Sequence, residues 1–323
     1  MKRESLEAKR RKNSAQVPEK RSLYGKKPRW LKTKLPTKTK FKTIKKMLNK
    51  QNLHTVCEEA FCPNHAECWE SGTATFLLMG SYCTRSCKFC DVETRNPHQY
   101  LDPDEPLKLA QTMKELGLKY VVLTSVTRDD LPDGGASHLS QCVLEIRKIN
   151  PHILIEALIP DFKGNLSALR QVVKTKPEVL GHNIETTESL TSLVRDKRAS
   201  FKQSIKVLEN IKKIDPQILT KSSLMLGLGE SDEEVLAALE ELKRVKVDIV
   251  TLGQYLQPSR RHLNVVEYID PQKFQYWKNI ALKMGFLYIA SGPLVRSSYR
   301  AGEFYIKHYL DEKETKKNLV KPN

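Results

Sequence analysis

The sequence predicts an α/β fold, an incomplete barrel of six strand–helix units with extensions at both ends of the chain. From about residue 73 onward, short apolar runs alternate with longer segments that have helical periodicity. This alternation indicates parallel strands joined by right-handed helical crossovers. Polar loops follow the apolar runs, and a barrel of this kind places its chemistry on those loops.

The elements follow one another along the chain in a regular order. The runs that predict strands are residues 74–79, 120–125, 153–159, 179–183, 219–226 and 248–253, with 286–290 after them. The segments that predict helices are residues 106–116, 136–149, 166–173, 189–194, 201–214, 232–243 and 271–283. Six such units are too many for a small sandwich and favour a partial or complete barrel of parallel strands.

Polar residues occupy the loops after the second to sixth predicted strands. These loops span residues 124–133, 160–161, 183–185, 227–230 and 254–257. Each loop taken alone is explained by turn chemistry, because Gly, Asp and Pro are residues that turns require. Taken together the loops form a polar ring at one face of the barrel, so we expect the functional site there.

The net charge of +17 is concentrated at the N-terminal end of the chain. Residues 1–50 contain 19 basic and three acidic residues, whereas the rest of the chain contains 36 basic and 35 acidic residues. The basic balance therefore describes a tail, which can contact nucleic acid, anionic lipid or an acidic protein, or simply be solvated. The apolar runs are too short for a membrane span, and a secretory signal peptide is not expected either.

Composition divides the chain into four predicted regions. Residues 1–26 form a basic tail that is expected to be disordered, and residues 27–72 form an arm with a short helix over 41–53. Residues 73–290 form the barrel, and residues 291–323 form a C-terminal segment.

Six of the seven cysteines lie close together, between residues 57 and 90. In a long, neutral domain this indicates metal ligands in a reducing compartment rather than a disulfide scaffold. Cys83, Cys87 and Cys90 have the spacing C-x3-C-x2-C and directly follow the first predicted strand. A structural zinc site normally has four ligands, whereas three thiolates fit a cubane iron–sulfur cluster with one iron open to a substrate.

A second trio, Cys57, Cys62 and Cys68, has the spacing C-x4-C-x5-C and lies in the predicted arm. Three soft ligands at this spacing again indicate an iron–sulfur cluster. The fourth ligand stays open: His65 is one candidate, although a solvent-facing histidine in a turn is the simpler interpretation, and a residue far along the chain is another. Cys142 lies alone in an apolar helical segment and is interpreted as a core thiol.

The segment SYCTRSCKFCD, with Phe89 just before its last cysteine, resembles the signature of the radical S-adenosylmethionine (radical SAM) superfamily. Over roughly residues 27–305, successive blocks also resemble the lipoyl synthase family. The blocks are CEEAFCPNHAECW, GTATFLLMGSYCTRSCKFCDV, TSVTRDDLPDGGA, IPDF, GHNIET, MLGLGE, GQYLQPS and GPLVRSSYRAGE. The resemblance implies a partial (βα)6 TIM-like barrel of the radical SAM type, with an N-terminal cluster-binding extension and a C-terminal extension.

The same resemblance implies two [4Fe–4S] clusters and S-adenosyl-L-methionine as cofactors. The trio at residues 83–90 corresponds to the ligands of the radical-generating cluster, and the trio at residues 57–68 to those of an auxiliary cluster. In the family, a serine of the RSSY motif is the fourth ligand of the auxiliary cluster. That serine is Ser298 by its place in the motif, with Ser297 as the nearest rival.

The implied activity is the insertion of two sulfur atoms at C6 and C8 of a protein-bound octanoyl group, with the auxiliary cluster consumed as the sulfur source. No catalytic residue beyond the cluster ligands is expected, because acid–base groups do not break an unactivated C–H bond and the protein mainly positions and shields. The candidate contacts to S-adenosylmethionine are Gly134, Gly135, Asn183, Glu185, Gly227 and Glu230.

The implied partners are an octanoylated lipoyl-carrier protein domain, an electron donor such as flavodoxin or ferredoxin, and an iron–sulfur cluster carrier, with no nucleic acid and no membrane span. We expect a cytoplasmic protein, because the tail is rich in lysine and carries Glu4, Glu7 and Glu19, unlike an organelle transit peptide. Two alternatives are kept. A biotin-synthase-like sulfurtransferase is disfavoured by the early cysteines and the RSSY motif, and a metal-stabilised nucleic-acid-binding protein is disfavoured by the neutral body.

Overall fold

The computed structural model describes residues 27–32, 39–59, 62, 64–70 and 74–298. The predicted tail at 1–26 and most of the predicted C-terminal segment, from residue 299 onward, lie outside the described residues. The α/β prediction is confirmed, since the centre of the chain is one eight-stranded sheet with helices between its strands.

Seven parallel strands form the main part of this sheet, and one short antiparallel strand is added at its edge. The strands in chain order are β1 His54–Thr55, β2 Thr75–Leu78, β3 Tyr82–Cys83, β4 Glu93–Thr94, β5 Tyr120–Ser125, β6 Leu154–Leu158, β7 Val179–Gly181, β8 Leu219–Leu226, β9 Ile249–Gln254 and β10 Tyr288–Gly292. The sheet order is β1-β2-β5-β6-β7-β8-β9-β10, and β3 pairs only with β4. Within the described ranges the order does not return to its first strand, so the barrel is incomplete, as predicted.

Helices connect each pair of successive parallel strands from β2 to β10. In chain order they are α1 Thr39–Gln51, α2 Val56–Glu59, α3 His65–Glu70, α4 Glu105–Glu115, α5 Ala136–Ile149, α6 Leu166–Lys174, α7 Thr191–Val194, α8 Phe201–Ile214, α9 Asp232–Arg244 and α10 Pro271–Lys283. Local signals fix several of their ends. Ser231 and Glu234 form a capping box at the start of α9, and the Asp270 side chain caps α10, which begins with a proline.

Alternating side chains of the strands face the helices or the inside of the barrel. Val121 and Leu123 of β5 belong to the outer core, whereas Tyr120 and Val122 belong to a separate inner cluster. The inner cluster is formed by the first residues of several strands, so the amino-terminal end of the barrel is filled and the carboxyl-terminal end is left for the site.

One buried ionic network lies inside the barrel. Glu156 of β6 accepts hydrogen bonds from Lys221 Nζ of β8 at 2.6 Å and from the Tyr120 hydroxyl of β5 at 2.5 Å. The glutamate and the lysine side chains are 3% and 6% exposed, so each charge depends on the other. This network ties three strands together below the polar loops.

Candidate active site and metal centres

The loop of residues 83–90, here called the cysteine loop, leaves the carboxyl end of the barrel and carries Cys83, Cys87 and Cys90, the barrel trio. All three thiols are partly buried. Thr84 donates its N–H to Thr127 O at 3.0 Å, and Lys88 donates to Val194 O at 2.9 Å. The loop is therefore fixed by segments that follow two other strands of the barrel.

A network of charged side chains fixes the position of the cysteine loop. The buried Arg85 guanidinium donates paired hydrogen bonds to Asp129, at 2.8 and 3.0 Å, and to Asp161, both at 2.8 Å. Burial opposes ionisation of Asp161, but the hydrogen bonds and charge of Arg85 outweigh it and hold the pKa of that carboxyl below its usual value. Asp196 accepts the Ser86 N–H at 2.9 Å.

Sequence reasoning placed Asp129 and Asp161 in polar loops but gave neither a role, and it missed Arg85 and Asp196. The sequence does not indicate that Arg85 pairs with Asp129 and Asp161, because these partners lie 44 and 76 residues away along the chain. The basic residue within CTRSC is the one feature that marks it in the sequence.

The sulfur atoms of the barrel trio lie in a buried setting that also contains N–H donors. The Asp196 N–H donates to Cys87 Sγ at 3.3 Å, and the Arg85 N–H donates to Cys83 Sγ at 3.4 Å. Burial raises the pKa of Cys90 to about 12, and the neighbouring sulfurs also raise it. For Cys90, a coordinated metal would supply the positive charge that favours the thiolate.

The spacing of the thiols bears on whether each trio would hold a single ion or a cluster. All seven cysteines are free thiols. Sulfurs bound tetrahedrally to one zinc at about 2.3 Å lie roughly 4 Å apart. Among the described residues, only Glu105, His138 and Cys142 bring three ligand atoms within 4.8 Å of one another. Neither cysteine trio meets this criterion among the described residues, and a cluster whose thiolates bind different irons does not require it.

Two of the predicted cofactor contacts, Asn183 and Glu185, lie beside the barrel trio. Glu185 is close enough for its charge to raise the pKa of Cys87 and Cys90. Its own pKa is raised by burial, although Arg195 and the Asn183 amide, which donates to it at 3.0 Å, oppose that effect. Glu185, which is partly buried, also has a left-handed backbone with φ of 68°, and such strain in a polar residue is typical of functional sites.

The predicted contacts Gly134 and Gly135 have a structural explanation in the chain itself. Both have positive φ, at 65° and 87°. A Cβ atom at Gly135 would lie 2.2 Å from Met79 Sδ, and one at Gly134 would lie 3.1 Å from Phe162 Cδ1. Packing and backbone conformation therefore require glycine here, and a contact to S-adenosylmethionine stays a prediction.

Gly227 and Glu230 form a loop that closes on itself. The Glu230 carboxylate accepts the N–H groups of Gly227 and Leu228. A Cβ atom at Gly227, where φ is 97°, would lie 2.3 Å from Glu267 O. Their role as cofactor contacts also stays a prediction, since the carboxylate is already occupied by its own loop.

The second trio, Cys57, Cys62 and Cys68, here called the arm trio, lies where α2 and α3 meet the edge of the sheet. Cys57 and Cys68 are buried. Burial raises the pKa of Cys57 to about 12, and Cys62 adds to the effect, while N–H donors of Thr75 and Trp69 oppose it. As in the barrel trio, the setting favours thiolates only when a metal is bound.

His65, the open candidate within the arm, packs edge-on against the Trp69 ring with 4.0 Å between ring centroids. Burial lowers its pKa to about 4, so the imidazole is neutral near pH 7. The histidine is part of the packing beneath the arm trio, and a solvent-facing turn position is therefore the wrong interpretation.

The C-terminal segment reaches the arm trio. Asn64, between Cys62 and Cys68, donates its side-chain N–H to Leu294 O at 2.6 Å. Two residues later, desolvation lowers the pKa of the partly buried Arg296, and Cys62 is close enough for its thiolate to oppose that effect. The chain then continues directly into the partly buried Ser298, the predicted fourth ligand.

Solved structures share this fold at low sequence identity. HydG from Carboxydothermus hydrogenoformans, an FeFe-hydrogenase maturase, aligns with a TM-score of 0.51 and 15% identity over 84% of this chain and 78% of its own. Streptococcus suis SuiB bound to S-adenosylmethionine aligns with a TM-score of 0.53 and 11% identity over 77% of this chain and 60% of its own. These likenesses concern the fold alone.

Residues 77–242 match the radical SAM superfamily, and residues 2–62 match the N-terminal domain of lipoyl synthase of the radical SAM family. The chain is thus a radical SAM protein, a class that uses S-adenosylmethionine and a [4Fe–4S] cluster. Lipoyl synthase of Culex quinquefasciatus is 54% identical over 88% of this chain and 76% of its own, and that of Homo sapiens is 52% identical over 90% and 79%. The chain belongs to the lipoyl synthase family.

The comparisons correct one expectation from the sequence. Both relatives are named mitochondrial, as is that of Schizosaccharomyces pombe at 50% identity over 90% of this chain and 80% of its own, so the expectation of a cytoplasmic protein is wrong. It rested on lysine and glutamate content near the N-terminus, and overall composition is a poor guide to an address that a receptor reads. Among the described residues, no helix is long and apolar enough to cross a membrane.

Proposed function

We propose that this mitochondrial protein inserts two sulfur atoms at C6 and C8 of a protein-bound octanoyl group, with S-adenosylmethionine at the barrel trio and a second [4Fe–4S] cluster at the arm trio. Family membership supports the reaction. The observation that carries the two-site assignment is the hydrogen bond from Asn64 to Leu294 O, because it joins the arm trio to the segment that contains Ser298. A biotin-synthase-like reaction and a nucleic-acid-binding function are set aside on the family assignment.

At the barrel trio the residues of the chain hold, orient and shield. Arg85 fixes the cysteine loop through Asp129 and Asp161, and the Asp196 N–H donates to Cys87 Sγ. Such outer contacts set the orientation and electron density of thiolate ligands. When bound, the cluster and S-adenosylmethionine supply the radical that breaks the unactivated C–H bond.

At the arm trio, three cysteines would hold three irons and Ser298 the fourth. A serine alkoxide is a harder and more labile ligand for iron than a thiolate, which suits a cluster that gives up its sulfur. The partly buried Arg296 lies beside Cys62 and would balance part of the negative charge that three thiolates bring into this site.

The proposed reaction defines its partners by chemistry. The octanoyl group arrives on a lipoyl-carrier protein domain, and an electron donor such as flavodoxin or ferredoxin reduces the barrel cluster. Because each turnover consumes the auxiliary cluster, an iron–sulfur cluster carrier has to rebuild it between turnovers.

The test compares single variants of the anaerobically purified protein for release of 5′-deoxyadenosine and for formation of lipoyl product on an octanoyl-lysine peptide. Cys62→Ala and Ser298→Ala are expected to release 5′-deoxyadenosine but to make no lipoyl product, and Cys87→Ala to do neither. Ser297→Ala is the matched control and should keep both activities. Wild-type protein should hold about eight irons per chain.

Full lipoyl product from Cys62→Ala would refute the sulfur-source assignment. Loss of product in Ser297→Ala with retention in Ser298→Ala would move the fourth ligand to Ser297. A colourless wild-type protein with zinc in place of iron would refute both cluster sites.

A further inference from the structure

The residue at the root of the cysteine loop has an unusual backbone. Met79 directly follows β2 and precedes Cys83 by four residues, and its φ is 65° although it is not glycine. The left-handed region costs a residue with a Cβ roughly 1 kcal/mol or more, so surrounding contacts have to impose it. Met79 is 5% exposed, and these contacts are therefore interior ones.

Two buried side chains of opposite charge hold the Met79 backbone. The Met79 N–H donates to both carboxylate oxygens of Glu105, at 3.0 and 3.2 Å. Arg128 Nη1 donates to Met79 O at 3.5 Å and to Tyr100 O at 2.9 Å. Arg128 is fully buried and is itself paired with Asp130 at 2.8 Å.

The Glu105 carboxylate is fixed by a further contact. His138 Nε2, on α5, lies 2.6 Å from Glu105 Oε2, and both residues are less than a tenth exposed. Glu105 is also the first residue of α4, where the helix dipole favours a negative charge. The carboxylate therefore has little freedom to move away from the Met79 N–H.

The Met79 side chain also packs against a second loop. Its sulfur occupies the space that a Cβ at Gly135 would need, so the turn that leads into the cysteine loop packs against the loop of Gly134 and Gly135. A change in the Met79 backbone would displace both loops at the open end of the barrel.

We infer that Glu105 and Arg128 are positioning residues for S-adenosylmethionine cleavage: they impose the left-handed turn at Met79 that places the cysteine loop over the barrel. Neither residue touches the reacting atoms. The inference rests on the proposed function for the cleavage reaction only, and not on the sulfur source at the arm trio.

The test measures 5′-deoxyadenosine release by the reduced holoenzyme as a function of S-adenosylmethionine concentration, together with iron content and the electron paramagnetic resonance spectrum of the reduced protein. Glu105→Gln should lower kcat/KM for S-adenosylmethionine by about tenfold to a hundredfold, as expected for a displaced reactive group. Addition of S-adenosylmethionine should change the spectrum of this variant less than it changes the spectrum of the wild type. Glu115→Gln, the same substitution at the exposed end of α4, should match the wild type.

A double-mutant cycle separates positioning from general destabilisation. Glycine adopts positive φ without penalty, so Glu105→Gln should cost at least threefold less in a Met79→Gly background than in the wild type. A merely structural role would give the same loss in both backgrounds. His138→Leu, which leaves the carboxylate in place but removes its partner, should give a smaller loss in kcat/KM, and His138→Gln should restore it by keeping a donor.

Several outcomes are decisive. Wild-type kcat/KM in both Glu105→Gln and His138→Leu would overturn the inference, as would strictly additive effects in the cycle. Should Glu105→Gln not yield folded protein, the contrast between His138→Leu and His138→Gln decides. If the wild-type holoenzyme released no 5′-deoxyadenosine at all, the proposed function itself would fail.

Discussion

Substituting Gly253 by alanine should disconnect the C-terminal segment from the arm trio. A Cβ atom at Gly253 would lie 2.1 Å from Val295 O, and the obstructing atom is backbone, so no rotamer change relieves the clash. The segment has to shift by more than 1 Å to reach ordinary van der Waals contact at about 3.4 Å.

Such a shift breaks the hydrogen bonds that dock the segment. These are Asn64 Nδ2 to Leu294 O at 2.6 Å, which joins the segment to the arm, and Arg296 Nη1 to Gln254 O at 3.4 Å, which joins it to β9. Two hydrogen bonds of about 1 kcal/mol each amount to about 2 kcal/mol, or roughly a thirtyfold loss of the docked population. Formation of lipoyl product should fall by that factor. Release of 5′-deoxyadenosine should stay within about twofold of wild type, because within the described part of the chain no hydrogen bond joins the cysteine loop to this segment.

Gly292→Ala is the matched control for this experiment. Gly292 has an ordinary φ, and the nearest atom to its new Cβ would be Val295 Cγ2 at 3.5 Å, an ordinary contact. It should therefore make product at the wild-type rate in the same peptide assay. Wild-type product formation by Gly253→Ala, or an equal loss in both variants, would refute the reasoning.

Three further predictions concern stability and the barrel trio. Burial lowers the pKa of His182 to about 4 from 6.5, so the unfolded chain takes up a proton at a higher pH than the folded protein does. The unfolding free energy of the metal-free protein should therefore fall by roughly 3 kcal/mol as the pH drops from 6.5 to 4. Urea titrations should show a smaller pH dependence for His182→Gln. Glu156→Gln leaves Lys221 buried without its carboxylate and should lower the unfolding free energy by about 3–5 kcal/mol, whereas the exposed-pair variant Glu145→Gln should change it by less than about 0.5 kcal/mol. Arg85→Lys keeps the charge but loses the planar fork, so 5′-deoxyadenosine release should fall by about tenfold; an unchanged rate would show that the paired aspartates do not position the loop.

The positions of the barrel elements follow from local sequence. The helices at 136–149, 201–214 and 271–283 and the strands at 120–125 and 219–226 begin and end as predicted, because each is long enough to show its periodicity. The short pieces around the arm trio were not predicted. Helices of four and six residues, Val56–Glu59 and His65–Glu70, carry no periodic signal, and their conformation depends on packing around Trp69.

Local sequence predicts one part of the candidate site, and the other part depends on tertiary structure. Cysteine spacing predicts both trios, because the cysteines of each trio come from one short segment. The pairing of Arg85 with Asp129 and Asp161 joins three loops and depends on strand order. At Gly135 the structure adds a packing reason for glycine, the Met79 side chain, while the predicted contact to S-adenosylmethionine stays a prediction.

The end of β9 and the residues after it contact segments beside both trios. At Gly253 the strand lies against Val295, in the segment that docks beside the arm trio. Ten residues later, Leu263 donates its N–H to Lys88 O in the cysteine loop at 3.2 Å. Under the proposed function, a radical made at one site and trapped by sulfur at the other would need a fixed separation between them. Residues 253–263 contact segments beside both trios, so on that proposal changes there should uncouple 5′-deoxyadenosine release from lipoyl product formation rather than abolish both.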